Sequence, residues 1–518
     1  MIDIISRIKE NAYDYSDRVF YEEIVDGGII DNKLAWDKLE QHSDVLANYL
    51  EKNCTSKAPI VVYGHKNPYM IVCFLACMKS GHAYCPLDFY SIPKARVLDI
   101  ISEVQPEIIL MPENDLGEEY CIDYKEAVVI NSDKLNEIYQ CKNDGNHTPL
   151  RPEDTCYIIF TSGSSGKPKG VQIPYECLCN YVEWAVTLLD EITDKGYVFL
   201  NQAPFSFDLS VMDLYLSLYT GGTLAACRKS VQSDYASLMS AIYNADINVW
   251  VSTPSFVDMC LMIRLFKEKL MPNLKTFLFC GETLTNKTAQ NLLDRFPNST
   301  IINTYGPTES TVCMTSVVVD EKLCNEVVPL PVGKVKPGTW VYIWDENRSC
   351  VEDGEQGEIV IIGNTVSSGY LNRPELNQEK FGQIEVDNEI YRYYRTGDKG
   401  YIKDDMLFYS GRMDSQIKLH GYRIEIEDVE SNIMTAKDVC QAAVYVNEKN
   451  GKAEELVACI VLKNHDAKME KSEVISLREE LKEILPYYMI PKKIKLYDSL
   501  PMTTNGKVDR KKLKEING

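Results

Sequence analysis

Thr161-Ser162-Gly163-Ser164-Ser165-Gly166-Lys167-Pro168-Lys169-Gly170 follows directly on Cys156-Tyr157-Ile158-Ile159-Phe160, an apolar, β-prone run that reads as a buried strand. The ten residues hold four hydroxyls, three glycines and two lysines. Glycines let main-chain N–H groups curl around an anion, and hydroxyls and lysines add donors and positive charge. That chemistry suits a polyphosphate. The loop is not of the Walker type, because Gly163 and Gly166 stand too close and Pro168 occupies the place where Ser or Thr should follow the lysine. Nor is it a dinucleotide fingerprint, because no helical run opens inside it. On composition alone a flexible surface turn remains the alternative.

Outward from this loop, the 518 residues are too many for one small core and imply two or more domains. A net charge of −21 argues against nucleic acid or an anionic membrane as a general partner. The start of the chain shows no basic region followed by an apolar stretch, and no apolar run is long enough to span a bilayer. We therefore expect no signal peptide, no membrane insertion and a cytoplasmic protein. The 17 cysteines are scattered without zinc-site spacing, and Cys177-Leu178-Cys179 is too tight for a metal hairpin. They are expected as thiols packed like small apolar residues in a reducing compartment.

Residues 1 to about 150 read as a globular start, with a strand at Ala58–Gly64, a buried helix over Pro68–Lys79 and a strand at Ile108–Met111. From 156 to 310 strand and helix alternate. Strands are expected at Val198–Gln202, Thr223–Cys227, Asn248–Ser252, Lys275–Phe279 and Thr300–Ile302. Helices are expected at Asp208–Tyr219, capped by Asp208, and at Ser233–Asn244, Pro254–Lys269 and Thr285–Phe296. Such alternation implies βαβ units and a parallel sheet, with ligands beyond the carboxyl ends of the strands. From about 338 the texture turns to strands and turns, and after Gly411-Arg412-Met413-Asp414 to a compact α+β unit with a hairpin turning at Asn450-Gly451. The expected fold is α/β: a large N-terminal domain, 1–413, with helix-covered, largely parallel sheets to about 337 and a small β-subdomain at about 338–413, then a small α+β C-terminal domain, 414–518. The stretch from Pro491 to Gly518 carries seven Lys and one Arg against three acids, a candidate dock for an acidic partner or simply a solvated end.

Tyr157–Gly170 resembles the phosphate-binding signature of the adenylate-forming superfamily, which holds acyl-CoA synthetases, luciferases and amino-acid adenylation domains. Four more stretches match that family's motifs in order: Asn303-Thr304-Tyr305-Gly306-Pro307-Thr308-Glu309, Tyr394-Arg395-Thr396-Gly397-Asp398, Gly411-Arg412-Met413-Asp414-Ser415-Gln416-Ile417-Lys418 and Asn505-Gly506-Lys507-Val508-Asp509. The resemblance implies the roles that follow. Thr161, Ser162, Gly163, Ser164, Ser165, Gly166 and Lys167 wrap the ATP phosphates. Asn303, Thr304, Tyr305, Gly306 and Pro307 hold adenine, Thr308 touches the α-phosphate, and Glu309 binds Mg²⁺. Asp398 takes the ribose hydroxyls, with Tyr409, Ser410, Gly411 and Arg412 beside the nucleotide. Lys507 bridges α-phosphate and substrate carboxylate during catalysis, with Thr308 and Glu309, and Asp414 is the hinge about which a mobile C-terminal domain turns.

Within the superfamily, Gln202–Leu224, Leu278–Glu282, Leu330–Gly333, Asp414–Arg423 and Tyr488–Pro491 resemble the branch that activates D-alanine and loads it on a carrier protein. That resemblance puts Asp208 on the substrate ammonium, Lys507 on its carboxylate, and Cys280 with Val312 at the wall that decides where the methyl goes. It further implies a separate phosphopantetheinylated carrier acting in trans and D-alanylation of (lipo)teichoic acid. An adenylation enzyme for another small amino acid, an acyl-CoA synthetase and a non-catalytic nucleotide binder are the alternatives.

Overall fold

The computed structural model describes residues 2–25, 27, 29–113, 122, 124–143, 147–163, 166–189, 196–414, 416–449, 452–463, 470–502 and 508–517. The chain divides into two compact units. One comprises Met1–Asp88, Ile101–Ile159 and Gly170–Met413; the other comprises Phe89–Ile100, Phe160–Lys169 and Asp414–Gly518.

In the first unit a nine-stranded sheet runs in the order Lys334–Val335, Thr315–Val318, Thr300–Tyr305, Thr276–Phe279, Val249–Ser252, Val198–Asn201, Thr223–Cys227, Val19–Val25, Ile29–Ala35. Its six inner strands are mutually parallel, and antiparallel strands close both edges. A seven-stranded sheet runs Gly369–Tyr370, Lys169–Pro174, Thr155–Thr161, Tyr84–Leu87, Ile60–Tyr63, Ile108–Met111, Val128–Asn131. Its inner strands Tyr84–Leu87, Ile60–Tyr63 and Ile108–Met111 are buried at every position, as parallel strands covered on both faces must be.

Two helices, Pro68–Lys79 and Leu209–Thr220, are buried on nearly every side. Their sequences explain it: neither has a polar face, so neither can lie at a surface. Both contribute to the largest apolar cluster, together with Val249, Leu278 and Ile302 of the nine-stranded sheet and Ile60, Tyr84 and Tyr157 of the seven-stranded one. An antiparallel sheet of Thr339–Trp344, Gly357–Gly363, Glu389–Lys403, Phe381–Val386 and Met406–Arg412 completes the unit.

In the second unit, Gln416–Leu419 and Tyr422–Glu425 form a hairpin whose turn residues His420 and Gly421 both have positive φ, 51° and 87°, as a tight two-residue turn requires. Val439–Lys449 and Lys452–Leu462 pair antiparallel, with Lys493–Leu496 parallel to the latter; the turn residues Asn450 and Gly451 lie outside the described residues. Alternation sorts this sheet. Val444, Val446, Leu456, Ala458 and Ile460 pack on the helices Ile426–Ile433 and Glu470–Ile484, while Ala443, Tyr445, Val457 and Cys459 face Leu513 of the helix Arg510–Asn517.

Two expected helices are shorter than the sequence suggests. Asp234 interrupts Ser233–Asn244, its carboxylate accepting from the N–H groups of Ala236 and Ser237 and starting a new helix, Tyr235–Asn244. The helix from Pro254 stops at Leu261, and only a short 3₁₀ turn follows at Glu268–Leu270. No disulfide joins any described cysteine. Among the described residues no helix is long and apolar enough to cross a membrane.

Candidate functional site

The strand Val198–Asn201 ends in the nine-stranded sheet, and the chain turns through Pro204–Phe207 into the inner helix Leu209–Thr220. Asp208 sits at the junction, half-buried, at the position of a cap. Its backbone is already helical, φ −63° and ψ −24°, and its side chain makes no capping bond. The expectation that it caps the helix is therefore corrected: a helical residue cannot swing its carboxylate back over the first N–H groups.

Cys280 follows the strand Thr276–Phe279, two strands along the same sheet, and is buried, its thiol donating to the Val312 carbonyl at 3.7 Å. Val312 and Thr311 both hold positive φ, 66° and 58°, conformations that β-branched residues adopt only against steric cost. Cys313 joins the cluster. Its thiol is hydrogen-bonded to Cys280, and burial first, then Cys280, pushes it well above the ordinary thiol range. Two buried tyrosines lead from this wall back to Asp208. Burial and the fields of Cys313 and Cys280 raise the Tyr181 phenol; burial, Tyr84 and Asp208 raise that of Tyr157. The Tyr181 hydroxyl is hydrogen-bonded to the Cys313 thiol, and among the described residues the buried Tyr157 hydroxyl has no hydrogen-bond partner.

The Asn303–Glu309 motif straddles the end of the strand Thr300–Tyr305, which pairs antiparallel with Thr315–Val318. Gly306 is required by close approach: a Cβ there would stand 2.4 Å from the Cys313 Cα. Asn303 donates to the Pro331 carbonyl at 2.9 Å and Thr304 to that of Phe279 at 2.8 Å. Thr308, Glu309 and Ser310 form a buried 3₁₀ turn after Pro307. Glu309 is fully buried and accepts from the Tyr370 hydroxyl at 2.6 Å, which in turn lies 3.3 Å from the Tyr394 hydroxyl.

Asp398 and Arg412 stand directly opposite on the strands Glu389–Lys403 and Met406–Arg412, and register alone makes them a pair. The guanidinium donates to the Asp398 carboxylate at 2.7 Å and to the Thr396 carbonyl at 3.0 Å. The other carboxylate oxygen accepts from the Tyr305 hydroxyl at 2.5 Å. Burial and that carboxylate push the Tyr305 phenol far up, so it stays a donor. The Tyr409 ring lies 6.0 Å from that of Tyr305, and Ser410 is the extra residue of a bulge whose next residue, Gly411, has φ 114°. The Asn303–Glu309 and Tyr394–Asp398 motifs, far apart in sequence, thus meet at one carboxylate.

The phosphate loop belongs to the second unit. Gly163 admits no side chain, since a Cβ would meet the Lys167 carbonyl oxygen at 2.3 Å, and Gly166 turns with φ 79°. Ser162 donates to the Arg423 carbonyl at 2.9 Å and accepts from the Glu425 N–H at 3.1 Å. Lys167 is exposed, and Lys169 pairs with Glu425 at 3.3 Å. Among the described residues the buried Thr161 hydroxyl has no hydrogen-bond partner, the state expected of a donor meant for a ligand. Asp414 begins the run that ends the chain, its carboxylate accepting from the Gln416 N–H at 3.2 Å. Ser164, Ser165 and Lys507 lie outside the described residues. Sequence reading missed Tyr370, Cys313 and Tyr181. Tyr370 had one signal, a Tyr after Gly in a polar stretch; the thiol and Tyr181 had none, because contact alone marks them.

Known proteins show likenesses consistent with this geometry. The family model for AMP-binding enzymes matches residues 8–371, and that for the AMP-binding enzyme C-terminal domain matches 428–507. The D-alanine–D-alanyl carrier protein ligase of Bacillus cereus (strain AH187) is 45% identical over 93% of this chain and 94% of its own length. That of Bacillus anthracis (strain CDC 684 / NRRL 3495) is 44% identical over the same shares. An artificially fused adenylation–PCP di-domain from Klebsiella oxytoca shares the fold, with TM-score 0.81 and 22% identity over 95% of this chain and 93% of that one. The chain belongs to the AMP-binding enzyme family of ATP-using, AMP-forming ligases, in the branch that holds the D-alanine–D-alanyl carrier protein ligases.

Proposed function

We propose that this chain adenylates D-alanine and passes it to the phosphopantetheine thiol of a separate carrier protein, supplying D-alanyl groups for (lipo)teichoic acid in the cytoplasm. The observation that carries the reading is the placing of Asp208. A half-buried carboxylate not used for capping, at the inner end of a core helix, is suited to an α-ammonium, and an acyl chain would have no use for it. The substrate carboxylate attacks the α-phosphorus of ATP, an O–P bond forms, the bond to the β-phosphate oxygen breaks and pyrophosphate leaves. Thr308 and Lys507 meet the charge on the α-phosphate and the carboxylate, and Asp398 with Arg412 holds the ribose. Thr161, Ser162 and the main chain of Gly163–Lys167 take the outer phosphates.

The donor set fits magnesium. Among the described residues no group of three or more His, Cys, Asp and Glu could cage a metal, and Glu309 offers one carboxylate, as suits an ion that keeps its waters and phosphate oxygens. Bound there, magnesium would neutralise phosphate charge. In the second step the carrier thiol attacks the alanyl carbonyl, loses its proton, and AMP departs; the C-terminal part turns about Asp414 to admit it. The Cys280–Val312 wall selects by rejecting a misplaced methyl, worth about 1–3 kcal/mol, so selectivity is graded.

ATP–pyrophosphate exchange with D-alanine, L-alanine, glycine and D-serine tests this. Strong exchange with D-alanine and weak exchange with the rest is the expected result. Preference for another amino acid would overturn the substrate, and turnover only with an acyl acid and coenzyme A would overturn the amino-acid reading.

A further inference from the structure

Lys66 is 1% exposed, among the deepest side chains of the molecule, and no step above uses it. An ammonium has three protons to donate, and this one meets three acceptors. They are the Asn201 carbonyl at 3.2 Å, the Asn201 side-chain oxygen, and the Ala203 carbonyl at 2.5 Å. The Phe205 ring centroid lies 5.2 Å from the nitrogen, within cation–π range. The lysine is held from behind as well: its backbone has φ 48°, and its carbonyl accepts from the buried Tyr21 hydroxyl.

The acceptors are not scattered. Asn201 ends a strand, and Asn201, Ala203 and Phe205 lead into the turn that delivers Asp208. The same Asn201 amide donates to Asp213 at 2.8 Å, and Asp213 lies one turn along the helix that Asp208 precedes. Lys66 and Asn201 together clasp both ends of the segment between strand and helix.

We propose that Lys66 is a positioning residue for the amino-acid half of the reaction: its ammonium, gripping the carbonyls of Asn201 and Ala203, fixes the turn on which Asp208 meets the substrate. This rests on Asp208 being the partner of the substrate ammonium. The groups that face Lys66 are Asp213 from the helix, Cys227 from the end of the neighbouring strand, and Asp88, itself paired with His65 at 2.6 Å. Burial pulls the lysine down to about 8 and pushes Asp213 up. A change of charge at Lys66 therefore falls within the working range of an assay.

The test is the KM for D-alanine and for ATP by pyrophosphate exchange, from pH 6.5 to 9.5, for the native enzyme, Lys66→Met, and Lys66→Met with Asp213→Asn. The double variant removes both ionisable groups and keeps their volume, so it leaves no uncompensated carboxylate. We expect both variants to raise the D-alanine KM tenfold or more while the ATP KM stays within twofold. In the native enzyme the D-alanine KM, corrected for the fraction of substrate in the ammonium form, should rise above pH 8; that rise should vanish in the double variant. A D-alanine KM within twofold of native, or parallel changes in both KM values, overturns the proposal. If the variants do not fold, a native D-alanine KM flat across pH 8 overturns it alone. Absence of exchange by the native enzyme would instead overturn the function.

Discussion

Asp208 stands at the start of a helix and Asp398 on a strand, and the structure sets them in different surroundings. Asp398 is committed, with Arg412 on one oxygen and Tyr305 on the other. A carboxylate has about four lone-pair sites, so two ribose hydroxyls can be added to a group already fixed in place. Asp208 begins a helix buried on nearly every side, and its carboxylate makes no capping bond there. Replacing Asp208 by Ala should therefore leave the fold and the ATP KM near native and raise the D-alanine KM roughly 100-fold, the scale of a lost partner in a desolvated charge pair. Steady-state kinetics in each substrate checks this, and an unchanged D-alanine KM would remove Asp208 from the role. The commitment of Asp398 was half legible in the sequence: the Tyr394–Asp398 motif named the carboxylate, but its cross-strand partner depends on register, which no local pattern states.

Elements carry the nucleotide half. The bulge at Tyr409–Gly411 sets Arg412 opposite Asp398, and it depends on Gly411 at φ 114°. A Cβ at Gly411 would have nothing within 4 Å, so Gly411→Ala isolates the backbone cost, about 1–2 kcal/mol. We expect a lowered thermal midpoint and a raised ATP KM, read by calorimetry and pyrophosphate exchange, with the D-alanine KM little changed. The elements show what a sequence can yield. Pro68–Lys79 and Thr223–Cys227 lie where periodicity put them, because both are short, apolar and bounded by strong breakers. The helix from Pro254 overran on paper because Met262–Phe266 is apolar enough to extend the pattern, yet the chain bends there into the core around Trp250 and Phe277. Lys66 was illegible for the opposite reason: a lysine in a Gly-His-Lys-Asn stretch reads as surface, and only the tertiary fold supplies three carbonyls to receive it.

For the whole molecule, two predictions concern behaviour no single element owns. Lys507→Ala should abolish adenylate formation and spare thioester formation from supplied D-alanyl-AMP, because the proposed turn about Asp414 removes that lysine before the second step. Loss of both half-reactions together would sink the two-position account. The second concerns stability. Burial raises Glu113 to about 7, so folding favours its protonated form. Below the unfolded value of about 4.5 neither state is charged and the group costs nothing; the cost grows as pH rises from there to about 7 and is complete above it. Glu113→Gln should then stabilise the protein at pH 8, by up to about 3 kcal/mol, and make little difference at pH 4.5, as denaturant titrations at both values would show. The placing of the proposed substrate pocket has a further consequence, for descent and for engineering. Cys280, Val312 and Asp208 line or adjoin the same apolar cluster that holds the inner helices together. A variant tried at this wall is judged by folding before it is judged by chemistry. Libraries aimed at a new amino acid should lose most members as insoluble chains, and the survivors should carry compensating changes in Tyr181 or the inner helices.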